Sequence, residues 1–202
     1  MVWLVLAAGQ SSRFKGNKLL APMQDGRPMI LHTLEKIPAS SSVCVVTRPD
    51  NLALMETLSA HGEPSGQSNR VTWVCPEAHL GMGHVIAWSI RTLCVPLRPN
   101  WVGILLADMP FILPQTLSDL QQLAERIPPP FILTPICNGR RGHPVLFSKA
   151  QLPILETLSG DEGAGRWLND PKLSATIVTH TVDDTGILDD IDTREQLQSY
   201  LA

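Results

Sequence analysis

The sequence predicts an α/β fold in which a mainly parallel sheet carries helices on both of its faces. Short runs rich in valine, isoleucine and leucine recur along the 202 residues, and stretches with helical spacing lie between them. The runs are nearly continuous rather than alternating, which is typical of strands buried on both faces. Strands that alternate with helices build right-handed βαβ units, and such units give a parallel sheet in a three-layer arrangement.

Six strands are predicted from the apolar runs. They cover residues 2–7, 43–47, 71–75, 102–107, 131–134 and 175–182. Sheets of this kind bind their ligands beyond the carboxyl ends of the strands. We therefore expect the functional residues in the loops that follow these runs.

Helices are predicted where apolar residues repeat at intervals of three and four. Ile30, Leu34 and Ile37 form one such face, and residues between 117 and 127 form a second. Thr193, followed three residues later by Gln196, is a capping-box pattern that predicts a helix through residue 201. The polar segment 61–70 predicts an exposed loop.

The charge balance excludes several classes of protein. The 16 Lys+Arg and 19 Asp+Glu residues give a net charge of −3, and 17% of residues are charged, against about 25% in ordinary soluble domains. A hydrophobic content of 44% excludes a wholly disordered chain. The pI near 6.0 argues against a broad nucleic-acid-binding surface, whereas a small anionic ligand needs only a few cations. Residues 1–202 are expected to form one domain.

The apolar start MVWLVLAAG predicts a first strand rather than a targeting segment. It lacks a basic region before it and is too short to span a bilayer. The cysteines Cys44, Cys75, Cys94 and Cys137 form no CxxC pair, and we interpret them as reduced core thiols. These features favour a cytoplasmic protein with no membrane partner.

The loop after the first predicted strand has the composition of an anion-binding loop. Small residues around Gly9 allow close backbone approach, and Arg13 and Lys18 add positive charge. The loop fits neither the Walker A pattern nor GxGxxG. A polyphosphate site and a plain glycine-serine turn with solvated cations are the alternatives. Arg48, after the second strand, leaves a dinucleotide-binding interpretation open.

Acidic residues follow two apolar runs. Asp108 stands immediately beyond the fourth run, where a carboxylate must be paired, hydrogen-bonded or metal-bound. It is a candidate Mg²⁺ ligand or a helix N-cap. Near the C-terminus the acidic residues are Asp183, Asp184, Asp189, Asp190 and Asp192. Most of these are expected to be solvated or capping residues, and Asp192 is the best placed as a second metal ligand.

Two further segments contain glycines that allow close backbone approach. Gly81 and Gly83 precede an apolar segment and could lie against a base or ribose, although a simple turn explains them equally well. The segment 138–144 places two cations and His143 at a strand end. A single histidine more often serves as a structural hydrogen-bonding group than as an acid or base.

Six segments, in their order along the chain, resemble the molybdenum cofactor nucleotidyltransferases, the MobA-like NTP transferases. They are LAAGQSSRFKGNKLL, GMG, LADMP, GRRGHPVLF, GDEGAGR and DDIDTREQL. The similarity runs from residue 6 to residue 197, and its specific parts are LAAG with SSR and LADMP. The resemblance implies a Rossmann-like three-layer α/β/α nucleotidyltransferase fold. It also implies transfer of a nucleoside monophosphate from an NTP to a phosphorylated acceptor, with release of pyrophosphate.

The resemblance implies functions for individual residues. Arg13, Lys18 and Asp108 would be catalytic, and Mg²⁺ would be bound by Asp108 and Asp192. The nucleotide is expected at Leu6, Ala7, Ala8, Gly9, Arg13, Lys18, Gly81 and Gly83. The acceptor is expected at Arg141, Gly142, His143 and Pro144.

The spelling LAAG, rather than LAGG, together with SSR resembles the cytidylyl branch and favours CTP over GTP. The implied acceptor is molybdopterin, a phosphorylated pterin, and the product is the cytosine dinucleotide cofactor of xanthine dehydrogenase-type hydroxylases. A molybdenum hydroxylase apoenzyme is a candidate partner. The alternatives are a cytidylyl- or guanylyltransferase for another phosphorylated acceptor, and a non-catalytic accessory protein of a molybdenum hydroxylase.

The sequence departs from the family pattern at three positions. Lys15 stands where the family has glycine, which predicts either a changed backbone path or a third phosphate contact. His84 replaces a small or polar residue after GMG. Gly165 resembles an extra residue within the family's GDxGAR pattern, and it leaves open whether Arg166 reaches the site.

Overall fold

The computed structural model describes residues 1–61, 70–94 and 97–201, with the side chains of Leu93 and Cys94 left out. Most of the predicted loop 61–70 therefore lies outside the described residues. Within them, the strands are β1 (Val2–Leu6), β2 (Ser42–Thr47), β3 (Arg70–Val74), β4 (Trp101–Leu106), β5 (Ile132–Cys137), β6 (Arg140–Arg141), β7 (Val145–Ser148) and β8 (Ile177–Thr181).

One sheet contains all eight of these described strands. Its order is β3-β2-β1-β4-β7-β5-β6, and β8 pairs with β5. β1 lies between β2 and β4 and is parallel to both, β2 is parallel to β3, and β5 is parallel to β8. β7 runs antiparallel to β4 and β5. The predicted mainly parallel sheet is confirmed.

The antiparallel strands β6 and β7 are absent from the prediction. β6 contains only two residues, both exposed, so it has no apolar pattern to recognise. β7 is a buried run of four residues directly after Pro144. A run this short does not reveal the direction of its pairing, because periodicity reports burial rather than strand orientation.

The helices are α1 (Met29–Leu34), α2 (Leu52–Ala60), α3 (Met82–Cys94), α4 (Pro114–Arg126), α5 (Leu152–Leu155) and α6 (Arg194–Leu201). α1 ends before Ile37, although Ile37 is buried as predicted. Ile127 likewise lies just past the end of α4, in an extended conformation. Both residues precede a proline, and the proline ring disfavours helical backbone at the residue before it.

The core consists of two main clusters, one on each face of the sheet. Trp3 and Val5 of β1 pack in one cluster with residues of α1 and α4. Leu4, between them in sequence, packs in the other cluster with residues of α3 and α5. Successive side chains of a strand point to opposite faces, so this division places helices on both sides of β1. The predicted three-layer α/β/α arrangement is confirmed.

The carboxyl ends of the parallel strands meet at one edge of the sheet. Leu6 of β1 pairs with Leu106 of β4, and the Ala107 N–H donates to the Leu6 carbonyl at 3.1 Å. The Ala7 N–H donates to the Val46 carbonyl of β2 at 2.8 Å. These bonds bring the loop after β1 directly beside the loop after β4.

Cys44, Cys75 and Cys137 are buried and carry free thiols, in agreement with the predicted core thiols. The side chain of Cys94 lies outside the described part of the chain. Among the described helices, none combines the length and the apolar character required to cross a membrane.

Candidate active site

The loop that follows β1, residues 7–18, is the first component of the site. We call it the first loop. Ser12–Phe14 form a single 3₁₀ turn, and the flanking residues Ser11 and Lys15 have left-handed backbone with φ of 52° and 53°. Glycine adopts this conformation freely. The backbone at Lys15 is therefore of the kind that the family's glycine adopts without strain.

Segment 184–192 is the second component, and buried hydrogen bonds fix its path. The Asp184 carboxylate accepts hydrogen bonds from the Leu113 N–H at 2.9 Å, the Thr116 hydroxyl at 2.6 Å and the Gly186 N–H at 3.0 Å. Asp184 thus satisfies donors in the first turn of α4, as the capping interpretation predicts. A side chain at Gly186 would place its Cβ 2.3 Å from the Phe111 carbonyl oxygen.

The same segment places the carboxylates of Asp190 and Asp192 beside the loop after β4. The Ile191 N–H donates to the Asp108 carbonyl at 3.0 Å. Gln196 of α6 fixes the backbone on both sides of Ile191. Its side-chain amide donates to the Asp190 carbonyl and accepts from the Asp192 N–H, each at 2.8 Å. Carboxylate oxygens of Asp108, Asp190 and Asp192 lie within 4.8 Å of one another. We call these three residues the acidic cluster.

Two cations of the first loop contact the acidic cluster. The Lys18 Nζ lies 2.5 Å from Asp108 Oδ2 and 3.2 Å from Asp192 Oδ1. The Arg13 Nη2 lies 2.8 Å from Asp192 Oδ2. Lys18 is buried and Arg13 is exposed, so the lysine pairs with less competition from water.

The position of Asp108 disfavours the charged form of its carboxyl. Burial raises the pKa of its carboxyl above the usual value, and the neighbouring Lys18 opposes that rise. Asp108 Oδ1 is buried without a hydrogen-bond partner among the described residues. An unpaired buried carboxylate oxygen within a group of three carboxylates fits a hard divalent cation, which takes oxygen ligands.

Asp190 belongs to this cluster, although the sequence predicts a solvated or capping residue at this position. A signal was present, because residues two apart in extended backbone point to the same side. Asp190 and Asp192 have that spacing. Three other aspartates nearby in the sequence make this spacing difficult to single out.

A cleft of about 550 Å³ opens at the carboxyl edge of β1 and β4. The predicted site residues that line it are Leu6, Ala7, Ala8, Gly9, Arg13, Lys18, Gly81, Asp108 and Asp192. Its opposite wall comes from Ala78 to Met82 and from Asp161. The structure therefore brings together nearly all the residues expected to bind nucleotide and metal.

Gly83 stands apart from this group, since it packs against segment 159–161 and does not line the cleft. Its N–H donates to the Gly160 carbonyl at 2.7 Å, and a Cβ on Gly83 would lie 2.6 Å from the Ser159 carbonyl oxygen. His84 Nδ1 accepts a hydrogen bond from the Gly160 N–H at 2.9 Å. The departure at His84 thus serves to attach this segment to α3.

The segment expected to face the acceptor, residues 141–144, also lies outside the cleft lining. The Arg141 Nη1 donates to the Leu168 carbonyl at 2.7 Å. Gly142 packs closely against the Ile187 carbonyl, and Pro144 is buried immediately before β7. His143 is half-buried with its Nδ1 enclosed, and burial lowers the pKa of the ring despite the nearby carboxylates of Asp108 and Asp190.

Arg166 and Arg48 have other partners. Arg166 forms an ion pair with Glu162 and lies 4.9 Å above the Trp167 ring, away from the cleft lining. Arg48 pairs with Asp50 at 3.0 Å, in a smaller hollow beside Ala8.

Comparison with known proteins gives one consistent result. The model of the MobA-like NTP transferase domain matches residues 3–177. The purine catabolism protein PucB of Bacillus subtilis (strain 168) is 32% identical over 200 residues, which cover 97% of this chain and 93% of PucB. A protein named "Probable molybdenum cofactor guanylyltransferase" from Thermococcus sibiricus is 39% identical over 61 residues, covering 29% of this chain and 31% of that protein.

The fold is found among solved structures as well. A nucleotidyl transferase from Methanothermobacter thermautotroptrophicus (Mth528) aligns with a TM-score of 0.77 at 18% identity, over 99% of this chain and 95% of that one. The Rossmann-like nucleotidyltransferase fold is thereby confirmed. Because the family model matches most of the chain and PucB is similar along almost all of it, the chain belongs to the MobA-like NTP transferase domain family.

Proposed function

We propose that this nucleotidyltransferase transfers CMP from CTP to the phosphate of molybdopterin and releases pyrophosphate. One observation carries the proposal: Arg13 and Lys18 meet the acidic cluster in the same cleft as the small-residue backbone of the first loop. Cations and backbone N–H groups suit a triphosphate, and clustered carboxylates suit the cation that accompanies it.

We assign the triphosphate to the first loop, with contacts to Ala8, Gly9, Arg13 and Lys18. Each of the two cations now pairs with a carboxylate of the acidic cluster. Bound triphosphate would offer these cations new anionic partners, and the carboxylates would then be available to hold the metal. Asp108, Asp190 and Asp192 would hold Mg²⁺, which supplies positive charge against the negative charge that develops on the leaving pyrophosphate.

The transfer is an in-line displacement at phosphorus. An oxygen of the acceptor's phosphate monoester bonds to the α-phosphorus of CTP, and the bond from that phosphorus to the bridging oxygen of the β-phosphate breaks. The monoester's second pKa is near 6, so the nucleophile is already an anion at neutral pH and needs no general base. The protein's contribution is positioning and charge stabilisation by Lys18 and Arg13.

The nucleotide and the acceptor rest on the resemblance and on the names of relatives. The LAAG spelling, with Ala8 buried at the base of the cleft, favours CTP. One relative is named a molybdenum cofactor guanylyltransferase and another a purine catabolism protein. Xanthine is a purine, which fits the supply of a cofactor to a xanthine dehydrogenase-type hydroxylase. We further propose that residues 1–202 act as one cytoplasmic domain, with a hydroxylase apoenzyme as a partner.

An NTP-specificity assay tests this proposal. The purified protein is incubated with Mg²⁺, molybdopterin and each of the four NTPs in turn, and pyrophosphate release is measured. We expect release with CTP to exceed release with GTP by at least about tenfold, which corresponds to about 1.4 kcal/mol. An Ala8→Gly variant, which recreates the LAGG spelling, is expected to lower the ratio of pyrophosphate release with CTP to release with GTP.

Two alternatives are separated by the same assay. Pyrophosphate release with a sugar or polyol phosphate but not with molybdopterin would identify another phosphorylated acceptor. Nucleotide binding without any release would identify an accessory protein that keeps the fold without the reaction.

A further inference from the structure

Asp161 is a carboxylate of the cleft that the proposed reaction does not use. It lies in the loop after α5 and lines the wall opposite the first loop. Its Oδ1 stands directly over Gly81, only 2.6 Å from the place that a Cβ on Gly81 would occupy. The lack of a side chain at Gly81 is thus what allows this carboxylate to reach the cleft.

The loop that carries Asp161 is fixed to the start of α3. The Gly83 N–H donates to the Gly160 carbonyl at 2.7 Å, and the Gly160 N–H donates to His84 Nδ1 at 2.9 Å. The Glu162 N–H donates to the Ser159 carbonyl at 3.3 Å. A carboxylate attached on both sides in this way presents its oxygens at a defined place.

Asp161 has no ion-pair or hydrogen-bond partner among the described residues. A cleft that receives a triphosphate gains nothing from another negative charge, because like charges repel. Asp161 is exposed, so water hydrates its carboxylate. A ligand group that displaces this water is bound favourably only if it offers N–H or O–H donors in its place.

The two walls of the cleft differ in chemistry. Arg13, Lys18 and the acidic cluster supply charge on one wall. On the wall of Asp161, Leu80 and Met82 are 45% and 41% exposed, although both are large apolar residues. Exposed apolar side chains that line a cleft suit the flat face of a nucleobase. A base that packs on this wall lies beside Asp161.

We propose that Asp161 accepts a hydrogen bond from the exocyclic amino group of cytosine and so selects CTP against UTP. The two nucleotides differ at this position, where cytosine has an amino donor and uracil has a carbonyl oxygen. The carboxylate binds the donor and repels the carbonyl. This inference rests on the proposed function in one respect, the choice of CTP as the nucleotide.

Binding of CTP and of UTP, each with Mg²⁺ and without acceptor, tests the inference by isothermal titration calorimetry. The wild-type protein is expected to bind CTP more tightly. In Asp161→Ala the ratio of the two affinities should fall by about tenfold or more, because a hydrogen bond to a charged group is lost. In Asp161→Asn the UTP affinity should rise, since the amide can donate to the uracil carbonyl.

Glu162→Gln is the matched control, because it removes the same charge from the neighbouring residue without touching the cleft. Its ratio of affinities should equal that of the wild-type protein. Equal weakening of both nucleotides in the Asp161 variants would place the carboxylate on the ribose hydroxyls and overturn the inference. Equally tighter binding of both nucleotides in the Asp161 variants would show that the carboxylate only repels the negatively charged nucleotide. That result would also overturn the inference.

The acceptor-free design separates this inference from the proposed function. A protein that prefers CTP in an Asp161-dependent manner but releases no pyrophosphate with molybdopterin would contradict the proposed reaction alone. A protein that completes the reaction with an unchanged CTP preference in Asp161→Ala would contradict the Asp161 inference alone.

Discussion

Asp108 and Lys18 form the closest ion pair of the acidic cluster, and the lysine offsets the cost of placing the Asp108 carboxylate in a partly buried position. Asp108 Oδ1 lacks a hydrogen-bond partner among the described residues, and burial raises the pKa of the carboxyl. Lys18 contacts two of the three carboxylates. Charges packed in this way serve ligand binding better than they serve stability.

Asp108→Asn is expected to abolish Mg²⁺-dependent pyrophosphate release while the protein keeps its fold. The amide occupies the same volume but carries no charge for a divalent cation. Because the raised pKa means that the folded state disfavours the ionised carboxyl, the melting temperature should stay the same or rise. Pyrophosphate release and the melting temperature, measured on one preparation, check the predicted loss of activity and the predicted stability. Retained activity would exclude Asp108 as a metal ligand.

Lys18→Ala is expected to weaken catalysis and triphosphate binding and to lower the free energy of unfolding by about 2 kcal/mol, because the half-buried Asp108 carboxylate loses its cation. The double variant Lys18→Ala, Asp108→Asn should recover much of that stability and none of the activity. Urea denaturation and steady-state kinetics of the three variants give the answer. A double variant no more stable than Lys18→Ala would show that the pair is not coupled.

At the scale of elements, the start of α6 is the piece that joins the first loop to the acidic cluster. The Arg194 guanidinium donates to the Phe14 carbonyl at 3.2 Å and to the Lys15 carbonyl at 3.4 Å, and it lies 5.4 Å from the centre of the Phe14 ring. Two residues earlier, Asp192 pairs with Arg13. The helix start therefore holds the backbone and a side chain of the same loop.

Arg194→Ala is expected to raise KM for the nucleotide by about three- to tenfold with a smaller effect on kcat. The cause is a less ordered first loop, since hydrogen bonds of about 1 kcal/mol are lost. Arg194→Lys keeps the positive charge but lacks the planar guanidinium, so its KM should lie between that of the wild-type protein and that of Arg194→Ala. Arg126→Ala, an exposed arginine at the end of α4, is the matched control. An equal fall of kcat in all three variants would contradict this positioning.

The elements also show what the sequence can predict. β1, β2 and β4 were found from their apolar runs because a strand buried on both faces needs such residues throughout. β6 has two exposed residues and therefore left no pattern. The first-loop cations and Asp108 are predicted because they lie in loops that follow buried strands. Asp190 is not, because its placement depends on the path of segment 184–192. That path is fixed by close packing against Phe111, far away in the sequence, and by hydrogen bonds with Gln196 of α6.

At the scale of the whole molecule, the buried sheet accounts for the low charge content and the free cysteines. Cys44 lies in β2, which is covered on both faces, and Cys75 is buried just after the edge strand β3. Burial raises the pKa of both thiols. The thiolate is the reactive form of cysteine. A raised pKa keeps both thiols protonated well above neutral pH for as long as the sheet is closed.

We therefore expect Cys44 and Cys75 to resist alkylation by iodoacetamide at pH 8 in the folded protein. Peptide mass spectrometry after labelling should find both unmodified, with full modification when urea is added first. Partial labelling of Cys44 under native conditions would show that the sheet opens between β1 and β2 on the time scale of the reaction.

The pairing of Lys18 with Asp192 joins residues 174 positions apart. During synthesis on the ribosome the first loop emerges early, while Asp190 and Asp192 emerge only after all eight described strands have been made. A growing chain therefore has its two cations available for a long interval without the carboxylates that later pair with them. At the proposed metal site, a divalent cation would have its full set of carboxylates only after segment 184–192 has packed against the loop after β4.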